Sequence, residues 1–233
     1  MSQLTISNLT HFDDIRAKTI SFINPYSFYL LKRAKFEFNS IDLWHSDGFL
    51  LCLILKIFGM PATRHSFDYS SLAEPFFSWC ARTNKSLAVV GSDEESIVFF
   101  ANHLRNRHQL NDVTFRNGYF TDTQYEEYVS NLAAARPDIV LVGMGALKQE
   151  KLLIDLRSKG WSGLGFTCGG FIHQTRINKG NYYPPLIDKL NLRFAYRMWH
   201  EPATIKRYLI IYPISIVSFV KDILVGKVSF FSD

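Results

Sequence analysis

The chain has 233 residues, 47% of them apolar, a formal net charge of +5 and three cysteines. That length and composition suit one large folded domain, or a domain with an appendage, and exclude a disordered chain. Cys52, Cys80 and Cys168 are odd in number and show no CxxC spacing, so neither a disulfide framework nor a structural zinc is expected, and a reducing cytosol is the natural setting.

In chain order the pattern is strand then helix, repeated. The first residues, MSQLTISNLTHFDD, lack the basic and apolar regions of a secretory signal. Lys18 to Ile23 reads as a strand, and Asn24-Pro25 supplies an N-cap and an N1 proline for a helix to about Lys35. Ile41 to His45 is a second strand. Ser46-Asp47-Gly48 opens the apolar helix FLLCLILKIF, which Gly59 and Pro61 stop, and Asp68 to Arg82 reads as another helix. Leu87 to Val90 is a strand with its turn at Gly91-Ser92, followed by first-turn acids Asp93, Glu94 and Glu95 on the next helix. Val113 to Arg116 is a strand ending at Asn117-Gly118, and Thr121 to Arg136 is helical up to Pro137. Ile139 to Val142 is a buried strand, Gly143-Met144-Gly145 a loop, and about Lys148 to Lys159 a helix. Gly163 to Cys168 is the last strand and runs into Gly169-Gly170.

Strands alternating with helices at this spacing predict a parallel sheet with helices on both faces, an α/β Rossmann-like fold. Beyond Pro185 the pattern changes to helices alone, rich in Arg, Tyr, Phe and Ile. The chain thus divides into a core, residues 1–184, and a C-terminal helical appendage, residues 185–233. No apolar run reaches the ~20 residues that span a bilayer as a helix. From Lys189 onward seven basic residues face three acidic ones, so nearly all of the net charge sits in the appendage. An anionic partner is expected there: a phosphate, a membrane surface or a nucleic acid.

Open α/β sheets bind ligands outside the carboxyl ends of their strands. Those ends carry Asn24, Asp47-Gly48, Gly91-Ser92, Asn117-Gly118, the run from Gly143 through Gly145 and Lys148 to Gln149, and Gly169-Gly170. Together they form a rim suited to a phosphorylated ligand. The competing reading is that short turns simply require glycine. Gly143-Met144-Gly145 resembles a dinucleotide loop, but Lys148 stands where the third glycine of GxGxxG belongs, and no acid follows at the expected distance. No Walker motif is present. A nicotinamide-dependent oxidoreductase is therefore a rival reading, behind others.

Asp47 is the candidate acid–base group. Leu43, Trp44, Phe49 and Leu50 would surround it with apolar side chains and raise its pKa. The plainer alternative is that Ser46 or Asp47 caps the following helix. His45 shares its strand face with Asp47 and is expected to be packed rather than catalytic. No HExxH or D-x-D pattern occurs, so neither a metal nor another cofactor is expected. In the tail, Arg193 and Arg197 share a helix face, Lys206 and Arg207 open the next segment, and Tyr208 to Val220 is apolar, broken by Pro213. This segment either completes the core or lies on an anionic leaflet; the concentrated positive charge favours the membrane. Nucleic acid fits the charge but not the absence of any recognisable binding module.

Four features in this order resemble the bacterial WecG/TagA/CpsF glycosyltransferases over about residues 18 to 212. They are Ser46-Asp47-Gly48, the loop from Gly143 to Glu150, the turn Cys168-Gly169-Gly170-Phe171, and the run Arg197 to Pro202 followed by Arg207-Tyr208. The resemblance implies transfer of a sugar, with inversion and without a D-x-D metal, from a UDP donor to a polyprenyl-diphosphate-linked acceptor. It implies work at the cytoplasmic face of the bacterial inner membrane, reached through the C-terminal segment, during cell-surface polysaccharide synthesis. It casts Asp47 as the general base, places Asn24 and Gln149 in the substrate pocket, and sets Arg193, Arg197 and Arg207 against diphosphate or lipid head groups. Three positions depart from the family pattern: Leu147 replaces a usual proline, Ile172 a common aspartate and Tyr183 a frequent basic residue. An altered sugar pocket follows, and the donor sugar is expected to be of hexose or N-acetylhexosamine type, with a hexose such as glucose in place of N-acetylmannosamine. A non-catalytic, membrane-associated binding module is the third reading of the chain.

Overall fold

A computed structural model describes residues 3–177, apart from 9, 10, 14, 16 and 17, together with 196, 198, 199 and 204–231. Eight strands form one sheet in which every pairing is parallel. They are β1 (Leu4–Ser7), β2 (Thr19–Ile23), β3 (Leu43–Ser46), β4 (Leu87–Gly91), β5 (Val113–Arg116), β6 (Ile139–Gly143), β7 (Leu164–Thr167) and β8 (Val228–Phe231), in the order β5-β4-β6-β7-β2-β3-β1-β8. Strands β2, β4 and β6 are buried along their whole length, so β4 and β6 read as continuous apolar runs, while β2 carries the buried hydroxyls of Thr19 and Ser21.

The helices are α1 (Pro25–Arg33), α2 (Phe49–Ile57), α3 (Ala73–Arg82), α4 (Glu94–His108), α5 (Asp122–Ala135), α6 (Lys148–Ser158), α7 (Phe171–Ile177) and α8 (Tyr212–Leu224). Local chemistry sets their starts. Asn24 caps α1 by accepting from the Tyr26 and Ser27 amides, while the Ser27 hydroxyl accepts from the Asn24 amide. Asp93 caps α4, and Thr121 with Gln124 forms a capping box on α5. Leu31 of α1, Leu55 of α2, Val129 of α5, Leu152 of α6 and Phe219 of α8 share one core with Ile6, Trp44, Val90 and Val142. Phe76 of α3, Phe100 of α4 and Phe171 of α7 fill the other, against Ile20, Val89, Leu141 and Phe166. The expected two-sided α/β architecture is therefore present.

Several expectations need correction. Helices alone do not follow residue 185, because β8 joins the sheet beside β1, with Leu4 opposite Val228 and Ser7 opposite Phe231. Pro213 does not end the helical run: it stands in the first turn of α8, where the run passes from a π-helical to an α-helical register. A π-helical stretch, Arg207–Ile211, leads into it. The helix expected from Asp68 begins only at Ala73, since the Asp68 carboxylate holds the Ser70 amide in a turn. The division at residue 184 falls outside the described residues. The end of the chain is anchored: Asp222 pairs with Lys32 of α1 at 2.6 Å, and the Phe219 ring meets Phe28 edge-on at 5.0 Å.

Candidate active site

Parallel pairing brings all strand carboxyl ends to one edge, and there a cleft of about 790 Å³ opens beyond β2, β3 and β7. Asn24, Asp47, Gly48, Gly145, Gln149, Gly169, Gly170 and Arg207 line it, so eight of the positions expected from sequence meet in one place. Gly91, Gly143 and Lys148 are not among its lining residues. Arg193 and Arg197 lie outside the described residues.

Asp47 follows directly on β3, and its amide donates to the Ile23 carbonyl of β2 at 2.8 Å. Its Oδ2 lies 3.4 Å from Asn24 Nδ2. Asn24 thus spends its carbonyl oxygen on the α1 cap and turns its amide nitrogen to the carboxylate. The residue capping α2 is Gly48, at φ +104, without a side-chain cap bond, so neither Ser46 nor Asp47 serves as that cap. Glycine is required there because the left-handed backbone strains any residue with a Cβ. Phe49 and Leu50 are exposed beside Asp47 instead of enclosing it, which corrects the expected apolar surround.

His45 is wholly buried. Its Nδ1 lies 2.8 Å from the Ser7 carbonyl, and its ring packs against Phe22 and His65. Burial pulls its pKa down from 6.5 to about 4, so the ring is neutral and structural at pH 7.

The loop after β6 is held from beneath. Glu150 is fully buried, and its Oε1 accepts from Ser21 Oγ and Gln149 Nε2, each at 2.8 Å, while Oε2 accepts from the Leu147 amide at 2.7 Å. Gln149 Oε1 in turn accepts from the Gly169 amide at 3.2 Å, and Ser21 Oγ is 2.8 Å from Thr167 Oγ1. Burial raises the Glu150 pKa, opposed by these donors. The network ties β2, β7 and the loop into one floor. Leu147 stands at φ +77, a conformation closed to proline, whose ring holds φ near −65°.

The glycines divide by role. A Cβ on Gly91 would fall 2.3 Å from the Gly143 carbonyl oxygen, and one on Gly143 would fall 2.8 Å from Ile172 Cδ1. Gly91 thus permits the close approach of β4 and β6, and Gly143 leaves room for α7 and the turn before it. Gly145, at φ +80, meets nothing within 4 Å of a Cβ and faces the cleft.

Sequence reasoning missed Arg64 and Asp68, which line the cleft from the segment between α2 and α3 and approach each other to 3.7 Å. Their only sequence signal is opposite charge four residues apart. Arg207 lies 4.0 Å from the centroid of the Tyr26 ring, so a tail residue seats on the first turn of α1. Arg64 and Arg207 are the cations among the lining residues, a pair suited to diphosphate. Among the described residues no three His, Cys, Asp or Glu side chains cluster as metal ligands, and no helix is long and apolar enough to cross a membrane.

The model of the glycosyl transferase WecG/TagA/CpsF family matches residues 2–228. The chain is also similar to the UDP-Gal:alpha-D-GlcNAc-diphosphoundecaprenol beta-1,4-galactosyltransferase of Shigella boydii, at 33% identity over 208 residues, covering 87% of this chain and 86% of that protein.

Proposed function

The chain belongs to the WecG/TagA/CpsF glycosyl transferase family, and from that premise we propose that it moves a hexose from a UDP-sugar to a polyprenyl-diphosphate-linked saccharide. The observation that carries the reading is the Asp47 carboxylate, set in the cleft by its backbone bond to β2 and by Asn24. Asp47 takes the proton from an acceptor hydroxyl as that oxygen attacks C1 of the donor sugar. The bond from C1 to the UDP oxygen breaks, the leaving electrons pass to the diphosphate, and the configuration at C1 inverts. Arg64 and Arg207 neutralise charge on the diphosphates, and no metal is required for that. UDP-galactose is the first donor to test, because the Shigella relative is named for it, and a GlcNAc-diphospholipid is the first acceptor. UDP-glucose is the second donor.

The enzyme works at the cytoplasmic membrane face, with residues 185–233 as the approaching unit. Support comes from Leu209, Ile210, Ile214 and Val217, all exposed on or just before α8, and from the basic residues Lys206, Arg207, Lys221 and Lys227 in the same segment. Asp47→Asn tests the mechanism. It should lower transfer by about 10²- to 10⁴-fold while UDP still raises the unfolding temperature. Turnover like that of the wild type would remove Asp47 from the reaction. UDP binding without UDP release, on every lipid-linked acceptor tried, would make the protein a binding module instead.

A further inference from the structure

The helix that follows Asp47 has two apolar faces, and only one is used by the fold. Leu51, Ile54 and Leu55 of α2 are buried in the core, whereas Phe49, Leu53 and Ile57, spaced four apart, are 55%, 42% and 72% exposed, with Leu50 beside them. These three form one ridge about 12 Å long, a rise of ~1.5 Å for each of eight residues. Its near end is the cleft itself, since Phe49 and Leu50 line the cavity that holds Asp47. The helix carries one charge, Lys56, and no acid.

We propose that this ridge is the track on which the hydrocarbon chain of the acceptor lies as it leaves the cleft. The inference rests on the glycosyltransferase reading above and adds a lipid subsite to it. A saccharide that attacks from one end and is joined to diphosphate at the other puts the start of its lipid chain one sugar ring and one diphosphate from Asp47, a distance the ridge from Phe49 to Ile57 spans. The chain then has to leave through the mouth along apolar surface; Phe49 and Leu50, which closely follow Asp47, supply it on the α2 side, as Leu209 does on the C-terminal segment. A second protein molecule seated on the ridge would close the mouth that both substrates use. A bilayer headgroup layer calls for several cations, and these sit on the C-terminal segment, not on α2. A ridge one side chain wide, nearly uncharged and leading away from the base fits a single hydrocarbon chain.

The test compares two acceptors that share one saccharide diphosphate, one with a short water-soluble chain and one with a full-length polyprenyl chain in detergent. Leu53→Asn combined with Ile57→Asn, both away from the cleft lining, should raise KM for the long-chain acceptor about tenfold, as expected for losing most of two half-buried aliphatic contacts. KM for the short-chain acceptor should stay within about twofold of the wild type. The pair Leu53→Met and Ile57→Met should keep the long-chain preference. A lipid diphosphate with a photoreactive group in its chain should label residues 49–57 whether or not transfer occurs. Equal KM effects on both acceptors, or labelling confined to other segments, overturns the track. So does loss of vesicle binding in step with the KM effect, which assigns the ridge to the bilayer, or a shift from dimer to monomer, which assigns it to a second copy. Failure of the wild type on both acceptors overturns the transferase reading itself, a result distinct from the others because the short-chain reaction does not use the ridge.

Discussion

His45 offers the sharpest check of the site's geometry, because the structure makes it a buried neutral ring two residues from the proposed base. The Ser7 carbonyl can only accept, so the Nδ1 at 2.8 Å carries the proton and Nε2 is left without a hydrogen-bond partner. With the native pKa near 4 against 6.5 in the unfolded chain, unfolding takes up a proton between those two pH values. Stability therefore falls as pH drops through that window, by ~1.4 kcal/mol per unit and about 3 kcal/mol in all. His45→Phe removes the titration and fills the space beside Phe22, but strands the Ser7 carbonyl, at a cost of about 1–2 kcal/mol that does not depend on pH. The wild type should thus be the more stable protein at pH 7 and the variant the more stable at pH 4.5, with the curves crossing at about pH 5.5. Urea unfolding at constant ionic strength from pH 7 to 4.5 reads this directly. Asp42, Asp93 and Asp138, whose pKa values are lowered in the fold, also lose stabilisation in acid, but they do so in both proteins and cancel from the difference. Parallel curves would show that His45 titrates normally, and that the packing described around it is wrong. A variant that folds yet loses transfer by orders of magnitude at pH 7 would move the imidazole into the reaction.

Gly91→Ala should destabilise the fold by about 3 kcal/mol or more in urea unfolding, since its Cβ meets the Gly143 carbonyl and its neighbours are backbone that has to shift. Gly145→Ala, with open space at its Cβ, should cost only about 1 kcal/mol from its φ of +80; equal losses at both positions would contradict the packing role given to Gly91. Glu150→Gln should cost about 2 kcal/mol, because whichever way the amide turns, its NH₂ faces either the Leu147 amide or the Gln149 amide nitrogen. The same variant should weaken UDP binding by calorimetry through Gln149, and unchanged stability would show that the carboxyl does not accept from all three donors.

What could be read from sequence follows from how local each cause is. The strands β2, β4 and β6 and the cap at Asn24 were legible because a buried strand and a capped helix start are written in adjacent residues, whereas Asp93, read as a first-turn acid, and Thr121, read as a helix start, prove to be caps. The strands β1 and β8 were not, since neither leads into a turn and helix as the others do, and β8 joins the sheet only through β1 at the other end of the chain. Asp47 was visible as an acid before a glycine at a strand end. Arg64 and Asp68 were invisible as cleft residues because their segment has no repeating pattern and only tertiary packing brings it there. The glycine rim was partly a record of packing: Gly91 is glycine so that β4 and β6 can touch and Gly143 so that α7 can pack over β6, while Gly48 and Gly145 border the cleft.

The glycine-framed loop between β6 and α6 and the acid at the end of β3 do different work, and the hydrogen bonds show why both are needed. Asp47 is fixed through β2, by the Ile23 carbonyl and by Asn24 on the first turn of α1. The loop is fixed through β2 as well, by Ser21 to Glu150, and through β7 by the Gly169 amide to Gln149. Strand β2 is thus the common reference for the proposed base on one side and the proposed substrate floor on the other, and their separation cannot change without breaking buried bonds. The cations proposed to meet the diphosphates enter from elsewhere: Arg64 from the segment after α2 and Arg207 from the far end of the chain, seated on Tyr26. Displacement at a sugar carbon needs the base held to a fraction of an ångström, whereas phosphate charge is tolerant of small shifts in its partners. A rigid acid on the central sheet with guanidinium groups on peripheral segments matches that difference in demand. It also lets the C-terminal segment, arriving with Arg207, complete the cleft without moving Asp47.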